Sequence, residues 1–133
     1  MDYKVKDLIK MMNIQNMGTL YQNKDLPFVD RIINPQNYPT PSIFDKGGRM
    51  QTHFMSATPD KEGNWYAYPN IIFEDGEYKK LDLNEDQALE YAKKSGNVIS
   101  FGKNKDAAID FSKNYKPEEF KQYYKGLLQS NLF

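Results

Sequence analysis

The chain holds one histidine and one tryptophan, His53 and Trp65, and both fall in the stretch MQTHFMSATPDKEGNWYAYPNIIF from Met50 to Phe73. An imidazole titrates near neutral pH, so His53 is the natural candidate for acid–base chemistry or metal ligation. A serine nucleophile would have to lie against its ring. Ser56 follows three positions later, and on a regular strand that offset puts the two side chains on opposite faces. The metal-site spacings HxH and HExxH do not occur, so a ligand set would need carboxylates from elsewhere in the chain. The favoured reading is a histidine hydrogen-bonded within a sheet or to the segment before it.

Three other groupings carry possible chemistry. Trp65, Tyr66 and Tyr68 have the rings to stack a base or a sugar. Strict alternation puts Trp65 and Ala67 on one face and Tyr66 and Tyr68 on the other, and cross-strand packing is the simpler use for them. SFGKNKDAA sets Gly102, Lys103 and Lys105 between a strand and a helix start. That outlines a phosphate cradle but lacks the multi-glycine spacing of a P-loop, so an ordinary turn is expected. Glu74, Asp75 and Glu77 cluster at EDGE, where a tight Asp-Gly turn leaves them solvated rather than paired across a cleft. The sequence therefore predicts no catalytic residue, no cofactor and no metal.

The elements that must position these residues follow from periodicity. Val5, Leu8, Ile9 and Met12 form one stripe of a short helix that is expected to stop before Gly18. Pro27, Pro35, Pro39 and Pro41 then predict an extended arm carrying Phe28 and Tyr38. Strands are predicted over Met50–Ala57, Trp65–Phe73 and Tyr78–Leu83, with Pro69 marking a bulge or an edge. Asn84 caps a helix that stops at Gly96, with Ala88, Leu89, Tyr91 and Ala92 toward the sheet. Val98–Phe101 is a short strand, Asn104 caps the next helix, and Pro117 opens a last one with Phe120, Tyr124 and Leu127 as its stripe. The expected fold is α+β, a small antiparallel sheet of three or four strands with helices on one face. Residues 1–27 form the N-terminal helix and arm, 28–116 the α+β unit, and 117–133 the C-terminal helix.

Composition narrows the classes. The 133 residues carry 18 Lys+Arg and 18 Asp+Glu, a balance that argues against nucleic acid as a partner. Without cysteine, disulfides, thiolate zinc sites and cysteine nucleophiles are excluded. No apolar run reaches the 18 or so residues of a membrane span, and the charged start does not read as a signal peptide.

One pattern resembles a known one. FVDRIINPQNYP, followed by the run from Met50 to Lys116, resembles a small module that recurs in bacteriophage proteins, virion-associated and internal virion proteins among them. The residues that carry the resemblance are Thr52, His53, Met55, Trp65, Pro69, Leu81, Ala88, Tyr91, Ala92, Gly96, Phe101, Ala107, Tyr115 and Lys116. Phe54 stands where the pattern has arginine, and Asn70 where it has threonine. The resemblance implies a phage origin and no established catalysis, with His53, Trp65, Pro69 and Phe101 as structural members of the module. The expected function is a non-enzymatic structural protein of the virion, made in the host cytoplasm. It would bind other virion proteins, or a second copy of itself, through Leu8, Ile9, Met12, Phe28, Tyr38, Phe120, Tyr124 and Leu127. A phage accessory enzyme using His53, and an inhibitor of a host protein, stay open as alternatives.

Overall fold

A computed structural model describes residues 14–39 and 53–116. The chain runs through helix α1 (residues 14–22), helix α2 (Pro27–Ile33), a 3-10 turn at Pro35–Asn37, strands β1 (Met55–Pro59), β2 (Trp65–Pro69), β3 (Ile71–Glu74) and β4 (Glu77–Lys80), helix α3 (Glu85–Ser95), strand β5 (Ile99–Gly102) and helix α4 (Lys105–Asn114). The fold is α+β. The predicted N-terminal stripe and the helix from Pro117 lie outside the described residues.

The sheet is split. β1, β2 and β5 form one antiparallel sheet in that order, and β3 pairs with β4 in a separate hairpin. The single strand expected over Trp65–Phe73 breaks at Asn70, directly after Pro69, which supplies no N–H to continue a ladder. The first strand runs Met55–Pro59, with His53 and Phe54 not part of it and Met50–Thr52 outside the described residues, and β4 ends at Lys80 rather than Leu83. The β3–β4 turn places Asp75 at φ 55° and Gly76 at φ 81°, the geometry that Asp-Gly pairs adopt in two-residue hairpins.

Helices cover both faces of the main sheet, where one face was expected. Alternation along β2 is the cause. Ala67 faces a core with Leu20, Phe28, Val29, Ile32, Ile99, Phe111 and Tyr115, contributed by α1, α2, β5 and α4. Tyr68, on the opposite face, packs with Ala88, Leu89 and Ala92 of α3. α3 is fixed by local rules: Asn84 and Gln87 make a capping box, and Gly96 takes the left-handed conformation at φ 76°. Asn104 likewise accepts from the Ala107 N–H at the start of α4.

The proline-rich segment corrects the sequence reading most. Helix α1 continues through Gly18 to residue 22, and the expected arm contains helix α2. The prolines bracket α2 instead of interrupting it. Pro27 occupies the first turn, where its missing N–H would have had no intrahelical partner, and Pro35 opens the next turn. Asn16 ties α1 to α4 by donating to Asp110 Oδ2 at 3.1 Å and to the Asn114 carbonyl at 3.2 Å. Leu20 of α1 and Phe28 of α2 belong to one packed core. Phe28, expected at an interface, is 1% exposed.

Candidate functional site

His53 sits where the chain enters β1, and four parts of the fold converge on it. Its carbonyl accepts from the N–H groups of Asn70 and Ile71, both at 2.9 Å, which anchors the corner between β2 and β3. The Asn70 side chain closes the same corner, donating to the Phe54 carbonyl at 2.8 Å and to Ser56 Oγ at 2.5 Å. The imidazole lies edge-on to Tyr115 just past α4, with ring centroids 5.6 Å apart. His53 Nδ1 and the Tyr115 hydroxyl share a hydrogen bond at 3.3 Å. From α2, the buried Arg31 donates from Nη2 to the Ile71 carbonyl at 2.8 Å.

This environment holds the imidazole neutral. Burial is the main cause of a pKa well below 6.5, and the positive charges of Arg31 and Lys116 act the same way, with the Phe28 backbone opposing them. Phe54 beside it is uncharged, yet the histidine does not lack nearby cations. They come instead from α2 and from the residue after Tyr115. Phe54 itself has φ 48° and is 49% exposed, with Lys80 Nζ 4.9 Å from its ring centroid. His53 is 1% exposed, so any substrate for this ring would first have to displace packed side chains. Ser56 is engaged by Asn70.

The other end of the sheet is wet. Trp65 and Phe101 are partly buried, and Lys105 Nζ stands 5.5 Å from the Trp65 ring centroid. The β2–β5 register shifts between Trp65 and Tyr66, so a local irregularity sets the tryptophan at the rim. Asp60 organises the β1–β2 turn by accepting from the N–H groups of Asn64 at 3.0 Å and Glu62 at 2.9 Å, and from the Tyr66 hydroxyl at 3.2 Å. The Asn64 N–H is the main reason its carboxyl sits below the usual range. Lys93 Nζ lies 4.4 Å from the Tyr66 ring centroid and 3.9 Å from Asp60. An open groove of about 490 Å³ runs from this turn to α3, with Leu89 among its lining and Asp60, Asp86, Glu90 and Lys93 around it.

The predicted residues thus separate. Lys103 donates to the Glu62 carbonyl, closing the loop that had outlined a phosphate cradle. Glu74 and Asp75 pair with Lys79 on the β3–β4 hairpin. Pro69 is buried. Tyr38 donates to Asp30 and packs edge-on against Phe73 at 5.4 Å. Burial, with Asp30 beside it, raises the Tyr38 phenol to about 12. Leu8, Ile9, Met12, Phe120, Tyr124 and Leu127 lie outside the described residues. Among the described residues no three His, Asp or Glu side chains are grouped to hold a metal, and no helix is long and apolar enough to cross a membrane.

Sequence reasoning missed Arg31 as a member of the His53 cluster. Its position between Val29 and Ile32 on a short apolar helix was the available signal, hidden while that segment was read as an extended arm. It also missed Asn70 as the clamp of the β2–β3 corner. Comparison with protein-family models, curated proteins and solved structures finds no match.

Proposed function

We propose that the chain is a non-enzymatic, virion-associated structural protein of a bacteriophage, binding other virion proteins. The observation that carries the binding role is the distribution of exposed apolar side chains. Among the described residues the large exposed ones are Ile14, Met17, Tyr21, Phe54 and Leu83, and the first three share one stripe of α1. The one imidazole, by contrast, is used in packing, which favours a scaffold over a catalyst. The phage setting rests on the module resemblance over residues 28–116. Mass spectrometry of purified particles tests the reading, with a fixed copy number of the chain per particle as the expected result. A chain missing from particles but recovered bound to a host protein would replace this reading with that of an inhibitor.

A further inference from the structure

We propose that His53 is the trigger of a pH-sensitive switch: protonation of its ring releases Tyr115 and Lys116 from the core and exposes the Tyr115 ring. The inference goes beyond the assembly reading, which needs only one state of the fold. His53 is the single imidazole of the chain, and its surroundings differ in how far they depend on the ring. Its carbonyl holds the Asn70 and Ile71 N–H groups at 2.9 Å whatever the charge on the ring. Arg31 sits within α2, with Nη2 on the Ile71 carbonyl at 2.8 Å and with Phe28, Val29 and Ile32 of the same helix in the core. Tyr115 lies just past the last residue of α4. Its hydroxyl meets His53 Nδ1 at 3.3 Å, and its ring stands edge-on to the imidazole. Lys116 follows, half-buried. The ends of elements open more readily than their middles, so this side of the cluster is the one able to move.

Charge supplies the force. Among the described residues the charged groups that act on the ring are Arg31 from α2 and Lys116 after α4, and both are positive. Tyr115 is the other titratable group in contact with it, and the β2–β3 corner is closed by the uncharged side chains of Asn70 and Ser56. A proton on the ring adds a third positive charge to a dry cluster, where repulsion is little screened. It also turns Nδ1 into a donor, so a Tyr115 hydroxyl that donates to it must turn away. Arg31 is fixed by the core, and Tyr115 and Lys116 give way. Asn16, donating to Asp110 and to the Asn114 carbonyl, keeps the last turn of α4 in place and makes Asn114 the hinge. In the open state the ring meets water and titrates near pH 6.5, so each pH unit below that favours opening by up to about tenfold. Acid thus uncovers an aromatic surface that the neutral form hides.

Hydroxyl-radical footprinting of the full chain from about pH 7.5 to about pH 5 tests the switch. Tyr68, 1% exposed in the core on the other face of the sheet, reports unfolding of the whole chain. The expected result is that modification of Tyr115 rises about fivefold or more below pH 6.5 while that of Tyr68 stays constant. Lys116→Gln removes one of the two positive charges at a partly exposed position and is expected to reduce the rise about threefold or more. His53→Phe keeps a ring in place and is expected to leave Tyr115 protected at every pH. If that variant does not fold, the wild-type and Lys116→Gln profiles decide. A Tyr115 as protected at about pH 5 as at about pH 7.5 overturns the proposal. So does a parallel rise of Tyr115 and Tyr68, which would make the acid response a loss of the whole fold. A rise that persists in His53→Phe, or that Lys116→Gln leaves unchanged, overturns it as well.

Discussion

Helix α4 spans the main sheet, and its two ends fasten it in opposite ways. Just beyond its C-terminal end, Tyr115 meets His53 in a dry cluster where Tyr115, His53 and the nearby Arg31 are 9%, 1% and 4% exposed. At its N-terminal end, Lys105 stands over a partly buried Trp65, and Lys93 and Lys103 bridge neighbouring loops at the surface. Both ends join a cation or a polar group to an aromatic ring. They differ in what replaces a lost partner. At the wet end water does so, and such contacts contribute little net stability. At the dry end a deletion leaves a cavity and an unsatisfied polar group in a low-dielectric interior, where both are costly. Similar side-chain chemistry thus locks one end of the helix and only trims the other.

Tyr115→Ala is the most direct attempt to break this contrast. The ring contacts both His53 and Phe111, so its removal is expected to cost about 3–5 kcal/mol in urea unfolding. A loss below about 1 kcal/mol would mean that the two ends are equivalent.

Acid sharpens the contrast, because the dry end alone holds a histidine. The fold keeps His53 neutral by burial and by the charges of Arg31 and Lys116, whereas the unfolded chain takes up a proton near pH 6.5. Above that pH the imidazole is neutral in both states and its contribution to stability is complete. As the pH falls below about 6.5 the unfolded state binds the extra proton, and stability declines by up to about 1.4 kcal/mol per pH unit until the folded state also protonates. His53→Phe should remove this slope between pH 6.5 and 5 while retaining a ring. An unchanged slope would assign the acid sensitivity to other groups.

The smallest effect belongs to the wet end. Trp65→Ala is expected to cost about 2 kcal/mol, less than the roughly 3–5 kcal/mol of a fully buried ring. A loss matching that of Tyr115→Ala would make Trp65 a core residue and erase the difference between the ends.

The sequence by itself determined the features that act within a few residues. Asn84 with Gln87, Gly96, Asn104 and the Asp75–Gly76 turn each depend on partners within about four positions, and each reads directly from residue type and spacing. Alternation along β2 also separated Ala67 from Tyr66 and Tyr68, as their membership of opposite cores shows. Tertiary structure alone decided that both cores would be helical, that α2 would form between the prolines and deliver Arg31, and that Tyr115 would close on His53. Those contacts join residues far apart in the chain: His53 and Tyr115 are separated by 62 positions, Arg31 and Ile71 by 40, Asn16 and Asp110 by 94. Local propensity has no term for such pairs. They form because apolar faces on distant elements must find one another to leave water, and that depends on how the whole chain closes.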